Sequence, residues 1–271
     1  MQTSTPKKPP LPQISAATFG DIKAALHAGL LDLRQQPGLS LFFGLAYAIV
    51  GAFLLSGFLV FDRIWIAIGA GVGFPLVAPF LAAGLYETSR RLKRQEPFRA
   101  SDIFLVIFNQ RRREFGWMAF IVLFVFWMWA YQVRILFAIF LQNQPVRSLE
   151  SFATVIFTTA DGAGFLMVGS IVGAVLATVL FSLTVIAMPL LLDRDVDFVT
   201  AMITSVQTVQ KSPVVMLGWG AVIGAATLLS ILPGLLGVIV VFPILGHASW
   251  HLYERLISFA DGHGPTTGED H

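Results

Sequence analysis

The sequence predicts an all-α fold: a polytopic transmembrane helical bundle of six spans in three hairpins, each preceded by an interfacial amphipathic helix on the cytoplasmic side. Three observations predict it. Only 13% of the residues are charged and 56% are hydrophobic, whereas a soluble domain has about 25% charged residues. Long stretches without a charged residue recur along the chain. A segment with helical periodicity precedes each pair of these spans.

The six spans lie in five stretches that contain no charged residue. A bilayer core of about 30 Å needs about 20 apolar residues in a helix, so each of the first four stretches holds one span. The fifth stretch, between Lys211 and Glu254, is long enough for two, and Pro233-Gly234 near its middle predicts a turn between them. We place the spans at residues 39–61, 64–86, 116–133, 164–192, 214–232 and 235–250.

These spans define a single membrane domain over residues 19–257. Residues 1–18 are predicted to be a disordered cytoplasmic segment, and Pro9, Pro10 and Pro12 with no apolar run beside them do not resemble a cleaved signal peptide. Residues 258–271 are Gly-rich and are predicted to be a disordered cytoplasmic tail.

The placement of lysine and arginine predicts the orientation. With the N-terminus inside, the outer side holds only Arg63, Arg134 and Arg147, and every other lysine and arginine is cytoplasmic. We therefore expect a multi-pass protein of a bacterial cell inner membrane with both termini in the cytoplasm.

A basic cluster lies between the second and third spans. It is a topology signal in one interpretation and a binding surface for anionic lipid headgroups in another. Its members are Arg90, Arg91, Lys93, Arg94, Arg111, Arg112 and Arg113.

Three amphipathic segments are predicted at the cytoplasmic interface, at residues 19–36, 101–113 and 195–210. Apolar residues recur in them at steps of three and four, which is typical of helices that lie in the headgroup plane or pack under the bundle. Residues 148–159, in the long outer loop of the middle hairpin, are predicted to form a further short helix.

The three predicted hairpins have similar sequences at their cytoplasmic ends. A proline precedes the cytoplasmic end of each even-numbered span, at Pro79, Pro189 and Pro243. Leu85-Tyr86-Glu87 also echoes Leu252-Tyr253-Glu254, although the distance from the proline differs. A structural triplication and a chance similarity both fit this pattern.

Two histidines near the end of the last span are candidate metal ligands. His247 and His251 are four residues apart, which places both rings on one helical face. His27, in the first amphipathic segment, is the third candidate. The alternative is that these side chains bond to backbone or headgroups. Two neighbouring histidines on one helix cannot bind a haem iron from opposite sides. The sequence requires no cofactor.

The densest acidic cluster follows the fourth span. Asp193, Asp195 and Asp197 would bind a cation in one interpretation. In the other, they pair with Arg194 and Arg90–Arg94 or cap the third amphipathic helix. We include them in a candidate functional cluster that consists of Asp193, Arg194, Asp195, Asp197, Tyr86, Glu87, Tyr253 and Glu254.

Several functions are disfavoured by what the sequence lacks. There is no cysteine, which excludes thiolate catalysis and Cys-ligated metals. The six spans contain no Asp or Glu, which disfavours a carboxylate-driven pump but not a passive channel. No catalytic motif or phosphate-binding loop is present, which favours a non-enzymatic role, and no nucleic-acid partner is expected. Three Gly-x-x-x-Gly motifs, starting at Gly69, Gly169 and Gly220, predict close helix packing.

Several stretches resemble a family of bacterial integral membrane proteins of unknown function, domain of unknown function 2189. They are Gly29-Leu-Leu-Asp-Leu33, Gly84-Leu-Tyr-Glu87, Pro189 to Asp197 with Ala201-Met202 and Ser205, and Gly246-His-Ala-Ser-Trp-His251. The resemblance covers about residues 20–257 and implies no established activity. Some members are labelled cytochrome c oxidase subunit I-like. A haem–copper core needs histidines on several helices, which this chain lacks.

Three functional hypotheses remain. The first is a permease or channel for a small solute or ion, motivated by six spans and proline-kinked helices. The second is an accessory or assembly factor of a membrane complex, such as a respiratory one. The third is a metal or haem protein that uses His27, His247 and His251. A homo-oligomer or a membrane-complex partner is compatible with the first two hypotheses.

Overall fold

The computed structural model describes residues 12–59, 64–110, 114–145 and 149–259. The predictions that concern Arg63, Arg111, Arg112, Arg113 and Arg147 lie outside these residues. The described chain is mostly helical, which confirms the predicted α class. Its helices are α1 Phe19–Gln35, α2 Pro37–Leu59, α3 Ile64–Lys93, α4 Ala100–Gln110, α5 Glu114–Phe140, α6 Leu149–Thr158, α7 Ala160–Thr184, α8 Ala187–Asp193, α9 Phe198–Lys211, α10 Pro213–Ile231 and α11 Val238–Leu256.

A helix lies at each predicted span, and α1, α4, α9 and α6 lie at the predicted short segments. By length and composition, three helices among the described residues are suited to crossing a membrane: Phe115–Phe140, Ala160–Asp193 and Pro213–Ile231. A fourth is added if the bent pair Phe19–Gln35 and Pro37–Phe53 is one span. The count of six and the hairpin arrangement stay predictions.

Local chemistry sets the first residues of α1 and α2. Thr18 and Asp21 form a capping box at the start of α1, in which Thr18 Oγ1 accepts from the Asp21 amide at 3.2 Å. Pro37 begins α2, where proline is tolerated because the first helical amides have no partner within the helix. The two helices meet at 106°.

The predicted fourth span is interrupted. Its helix ends at Thr184 and resumes as the buried α8 at Ala187. The amide of Ile186 donates to Ser205 Oγ at 3.1 Å, so a side chain of α9 satisfies the backbone at the break.

The ends that we predicted to be disordered are partly ordered. Strand β1, Gln13–Ile14, pairs antiparallel with β2, Ile257–Ser258. The amide of Ser15 donates to the Leu256 carbonyl at 2.8 Å, and Lys211 Nζ donates to the Ile14 carbonyl at 2.5 Å. The prediction of disorder is therefore wrong for residues 12–18 and 258–259, because pairing between distant segments leaves no local pattern. Residues 1–11 and 260–271 lie outside the described residues.

The single domain that we predicted divides into two compact units. The first contains the described residues up to Ala119 and from Ser182 onward. One apolar core cluster of this unit contains Phe43, Tyr47, Ala48, Leu85, Ile103 and Val238. The second unit is Phe120–Phe181. Its core contains Leu141, Val155 and Ile156, with Phe140, Phe152 and Phe165 packed against them.

Candidate functional site

Glycines bring α1 and α3 into close contact with α11. A Cβ at Gly29 would lie 2.7 Å from both the Ala248 amide nitrogen and the Ile244 carbonyl oxygen. A Cβ at Gly246 would lie 2.6 Å from Leu85 Cδ1 on α3. Because real Cβ atoms do not approach backbone atoms so closely, glycine is needed at position 29, whereas a Cβ at position 246 would require the Leu85 side chain to move.

Gly44 brings α2 against the same helix, since a Cβ there would overlap the Ile239 carbonyl of α11. The predicted Gly-x-x-x-Gly motifs do not make such contacts where the structure describes their surroundings. A Cβ at Gly169 would lie 3.8 Å from Leu136 Cδ1, and Cβ atoms at Gly173 and Gly224 would meet nothing within 4 Å. The motif spacing places two glycines one turn apart but does not specify what lies opposite them.

His247 lies where α2, α3 and α11 meet. Its Nε2 is 2.9 Å from Ser40 Oγ on α2, and its Nδ1 is 2.7 Å from Ser89 Oγ on α3. All three side chains are fully buried. A serine hydroxyl can donate or accept, and a neutral imidazole has one donor and one acceptor nitrogen. The ring can therefore be satisfied in either tautomer.

His251 belongs to a second polar group, whose members come from α1, α3 and α11. Its Nε2 lies 2.7 Å from Asp32 Oδ2, and its Nδ1 lies 3.5 Å from Glu254 Oε2. Lys93 Nζ is 3.1 Å from that same Glu254 oxygen. Asp32, on α1, is only 6% exposed. An ionic chain thus links the ends of three helices.

One carboxylate oxygen connects the two histidines. Asp32 Oδ2, bonded to His251, also lies 3.9 Å from His247 Nδ1. The predicted common face of the two rings is therefore observed, and a carboxylate of α1 lies against it.

The ionisation of His251 follows from these contacts. It lies beyond the last residue of the predicted sixth span, 235–250. Burial by itself would lower its pKa, but the hydrogen bonds and charges of Asp32 and Glu254 raise the pKa to about 9. The ring is therefore positively charged at neutral pH.

We expect this ion pair to make stability depend on pH. The pKa of His251 is about 9 in the fold and 6.5 in the unfolded chain. Its protonated form therefore stabilises the fold by up to about 3 kcal/mol below the unfolded pKa, and this is lost as pH rises through the folded pKa. Thermal unfolding in detergent from about pH 6 to about pH 10 measures the loss. Asp32→Asn should flatten the dependence, and an unchanged pH profile in that variant would contradict the assignment.

A cavity of about 400 Å³ opens beside His251. It lies at the last residues of α1 and α3 and the last turn of α11, and it contains charges of both signs. Its lining residues are Asp32, Gln35, Leu92, Lys93, His251, Glu254 and Arg255.

The predicted three-histidine metal site is not assembled as a ligand set. His27 is exposed on α1, whereas His247 is fully buried. Among the described residues, no group of three or more His, Cys, Asp or Glu side chains could hold a metal ion. His247 and His251 instead bond to serine and carboxylate side chains, and metal binding stays a prediction.

The acidic cluster is distributed among structural contacts. Asp193 lies 3.2 Å from Arg94 Nη2 and 3.5 Å from Arg194 Nε, and the Tyr253 hydroxyl donates to it at 3.0 Å. Burial, followed by the Asp193 charge, raises the pKa of Tyr253 well above its ordinary value, so the phenol keeps its proton. The guanidinium of Arg194 also lies 4.2 Å from the ring centroid of Phe259.

Asp197 caps α9, as one of our two interpretations proposed. Its carboxylate accepts from the Thr200 amide at 2.9 Å and from the Thr200 hydroxyl at 2.6 Å. These hydrogen bonds lower the pKa of Asp197. Asp195, which lies between Asp193 and Asp197 in the sequence, is exposed.

Glu87 is fully buried and neutralises two arginines of its own helix. Its Oε2 lies 2.7 Å from Arg90 Nη2, and its Oε1 lies 2.6 Å from Arg91 Nε. Next to it, the ring of Tyr86 lies 6.4 Å from that of Trp250, which lies 5.4 Å from Tyr253.

The described part of the basic cluster is bound within the chain. Besides Arg90 and Arg91, Lys93 pairs with Glu254 and Arg94 with Asp193. These ion pairs compete with the lipid headgroups that we predicted as partners.

Sequence reasoning missed three members of the site. Asp32 appeared only within the stretch Gly29-Leu-Leu-Asp-Leu33, and Ser40 and Ser89 were not singled out. The sequence feature that could have identified Asp32 is Gly29, one helical turn before it. Gly29 lies at the contact between α1 and α11. No local pattern marks the two serines, whose role depends entirely on His247.

Comparison with known sequences supports a membrane protein. Residues 66–193 match the family model described as "Predicted integral membrane protein (DUF2189)", and this confirms the resemblance over those residues. No curated protein and no solved structure matches the chain.

Proposed function

We propose that the chain, whose residues 66–193 match a family model of predicted integral membrane proteins, is an inner-membrane permease or channel for a small charged solute. The cavity beside His251 carries this proposal. Its volume of about 400 Å³ lies within the range of small-molecule sites, about 300–1,000 Å³. In this proposal it is the cytoplasmic entrance of the solute path.

The proposed topology has six spans with both termini in the cytoplasm. It is supported by helices at all six predicted positions and by the asymmetric placement of lysine and arginine. The 106° angle between α1 and α2 is compatible with an α1 that lies in the headgroup plane while α2 crosses the bilayer.

The charges of the cavity indicate a class of solute. Lys93, His251 and Arg255 supply positive charge, and Asp32 and Glu254 supply negative charge. Such a lining can pair with both ends of a zwitterion, or with a small anion when Lys93 exchanges Glu254 for the solute. An apolar solute would leave these charges unpaired and is disfavoured.

Flux measurements test the proposal. The purified protein in liposomes should move labelled small organic anions or zwitterions faster than protein-free vesicles do. Lys93→Met should reduce this flux about tenfold because a cation of the cavity is lost. Lys23→Met is the matched control, since Lys23 is exposed on α1 and does not line the cavity. Equal flux in protein-containing and protein-free vesicles for every solute class would overturn the proposal.

A second candidate function, an accessory role in a membrane complex, is supported by an apolar groove on α5. In the unit Phe120–Phe181, α5 exposes an apolar groove of about 310 Å³ that is lined by Phe124, Trp127, Met128, Tyr131 and Gln132. In a membrane this face meets lipid or another transmembrane protein, so an accessory or assembly role in a membrane complex is the alternative. Purification in mild detergent distinguishes the two, because a stoichiometric partner supports the accessory role. An optical and metal scan of the same sample tests the haem or metal hypothesis.

A further inference from the structure

We propose that the cavity beside His251 selects a zwitterion whose ammonium group carries N–H bonds, such as a free amino acid, and that this solute inserts into the ion pair between Lys93 and Glu254. The carboxylate of the solute would pair with Lys93, and its ammonium group would pair with Glu254. The site rests on the proposed permease function for its place in a transport path, and it selects one class among the charged solutes of that path.

The ion pair between Lys93 and Glu254 is the part of the cavity that a solute can open. Lys93 Nζ lies 3.1 Å from Glu254 Oε2, and the two side chains are 51% and 21% exposed. Both line the cavity. An ion pair that water reaches contributes little net stability because solvent screens it. A solute that offers both charges can therefore replace it.

The other charges of the cavity have partners that a solute does not readily replace. His251 Nε2 lies 2.7 Å from Asp32 Oδ2, and these side chains are only 13% and 9% exposed. Separating such a pair would leave buried charges uncompensated. Arg255 Nη1 lies 3.6 Å from Asp21 Oδ1. Asp21 lies outside the described lining, so a solute in the cavity does not reach both members of that pair.

The balance of charges favours a zwitterion over an anion. If an anion took Lys93, Glu254 would keep His251 Nδ1 at 3.5 Å as a cationic neighbour. That ring is already paired with Asp32, so one positive charge would then face two carboxylates. The ammonium group of a zwitterion supplies the positive charge that Lys93 no longer gives to Glu254. A simple amine is disfavoured for the converse reason, because it would take Glu254 and leave Lys93 without a counter-ion.

The lining also selects the kind of ammonium group. A carboxylate binds an ammonium group that carries N–H bonds through charge-assisted hydrogen bonds. A quaternary ammonium group has no N–H bond and is recognised through the faces of aromatic rings. Apart from charged side chains, the described residues that line the cavity are Gln35 and Leu92, and none of them is aromatic. The cavity therefore fits an amino acid better than a betaine.

Equilibrium binding to the full chain in detergent at neutral pH tests the inference. The probes are labelled glycine, β-alanine and γ-aminobutyrate, which place their two charges at increasing separation. The comparison compounds are propionate, ethylamine and the trimethylated betaine of β-alanine. At least one of the zwitterionic probes should bind about tenfold or more tightly than every comparison compound. Equal or tighter binding of propionate would overturn the inference.

Glu254→Gln distinguishes a zwitterion site from an anion site. It should weaken binding of the preferred probe about tenfold, because the ammonium group loses its carboxylate. In an anion site the same change would strengthen binding, because it would free Lys93. Glu96→Gln is the matched control, since Glu96 is 47% exposed and lies outside the described lining. Unchanged or tighter binding of the preferred probe by Glu254→Gln would overturn the inference.

Thermal unfolding in detergent shows whether each variant is folded. We expect Glu254→Gln to fold, since the side chain that it replaces is partly exposed. If it does not fold, the comparison of the probes with propionate on the wild-type protein decides the question.

A phospholipid with an ethanolamine headgroup carries the same pair of charges and is a competing occupant at a membrane surface. Binding of the preferred probe is therefore repeated in nanodiscs of phosphatidylcholine with and without phosphatidylethanolamine. The probe should bind equally in both. Its displacement by phosphatidylethanolamine would assign the cavity to a lipid headgroup and overturn the free solute as its occupant.

Flux through liposomes distinguishes failure of the zwitterion site from failure of the permease. Binding of the preferred probe without flux supports the site and removes the permease. Flux of propionate in a protein that binds no zwitterionic probe leaves the permease and overturns the site.

Discussion

Replacing Glu87 by glutamine is expected to lower the free energy of unfolding by about 3 kcal/mol, because two arginines then lose their shared carboxylate in a buried site. The Glu87 side chain is 0% exposed, and Arg90 and Arg91 are 20% and 19% exposed. Their positive charges would lie side by side on one face of α3, each without the counter-ion that offsets its desolvation.

Unfolding of the detergent-solubilised protein by heat or by increasing SDS measures this loss. Glu96→Gln is the matched control, since Glu96 is 47% exposed and lies 4.0 Å from Arg94. An exposed pair of this kind contributes about 0–1 kcal/mol. A Glu87→Gln protein as stable as Glu96→Gln would show that the buried carboxylate does not stabilise the fold.

Gly29→Ala is expected to have the second large effect, a loss of about 2 kcal/mol, because the added methyl group would overlap backbone atoms of α11. The two nearest atoms, at 2.7 Å, belong to the main chain of Ile244 and Ala248 and cannot rotate away. The helices must then separate, which would also move Asp32 away from His251.

Gly38→Ala provides the comparison. A Cβ at Gly38, in the first turn of α2, would meet nothing within 4 Å, and replacing glycine in a helix tends to stabilise it slightly. The measurement is the midpoint of thermal unfolding together with its pH dependence. A Gly29→Ala protein that keeps the wild-type midpoint would contradict the close contact between α1 and α11.

Some residues of the candidate site could be predicted from the sequence and others could not. His247 and His251 were identified from their spacing, because a helix of known period places them on one face. The capping role of Asp197 was among the predicted alternatives, since a carboxylate before a helix satisfies amides of that same helix. Asp32, Ser40 and Ser89 were not assigned to the site, because their partners lie on other helices.

The sequence by itself determined the helical class of this protein, the approximate helix positions and the resemblance to a membrane family. These depend on charge-free length, periodicity and end signals, all of which act within a segment. Only the tertiary structure decided that the ends near Gln13 and Ile257 pair, that the region near Val185 breaks, and that Asp32 lies between two histidines. Asp32 is buried where Gly29 lets α1 approach α11, and polar groups buried in such a contact must find partners on other helices because water no longer reaches them.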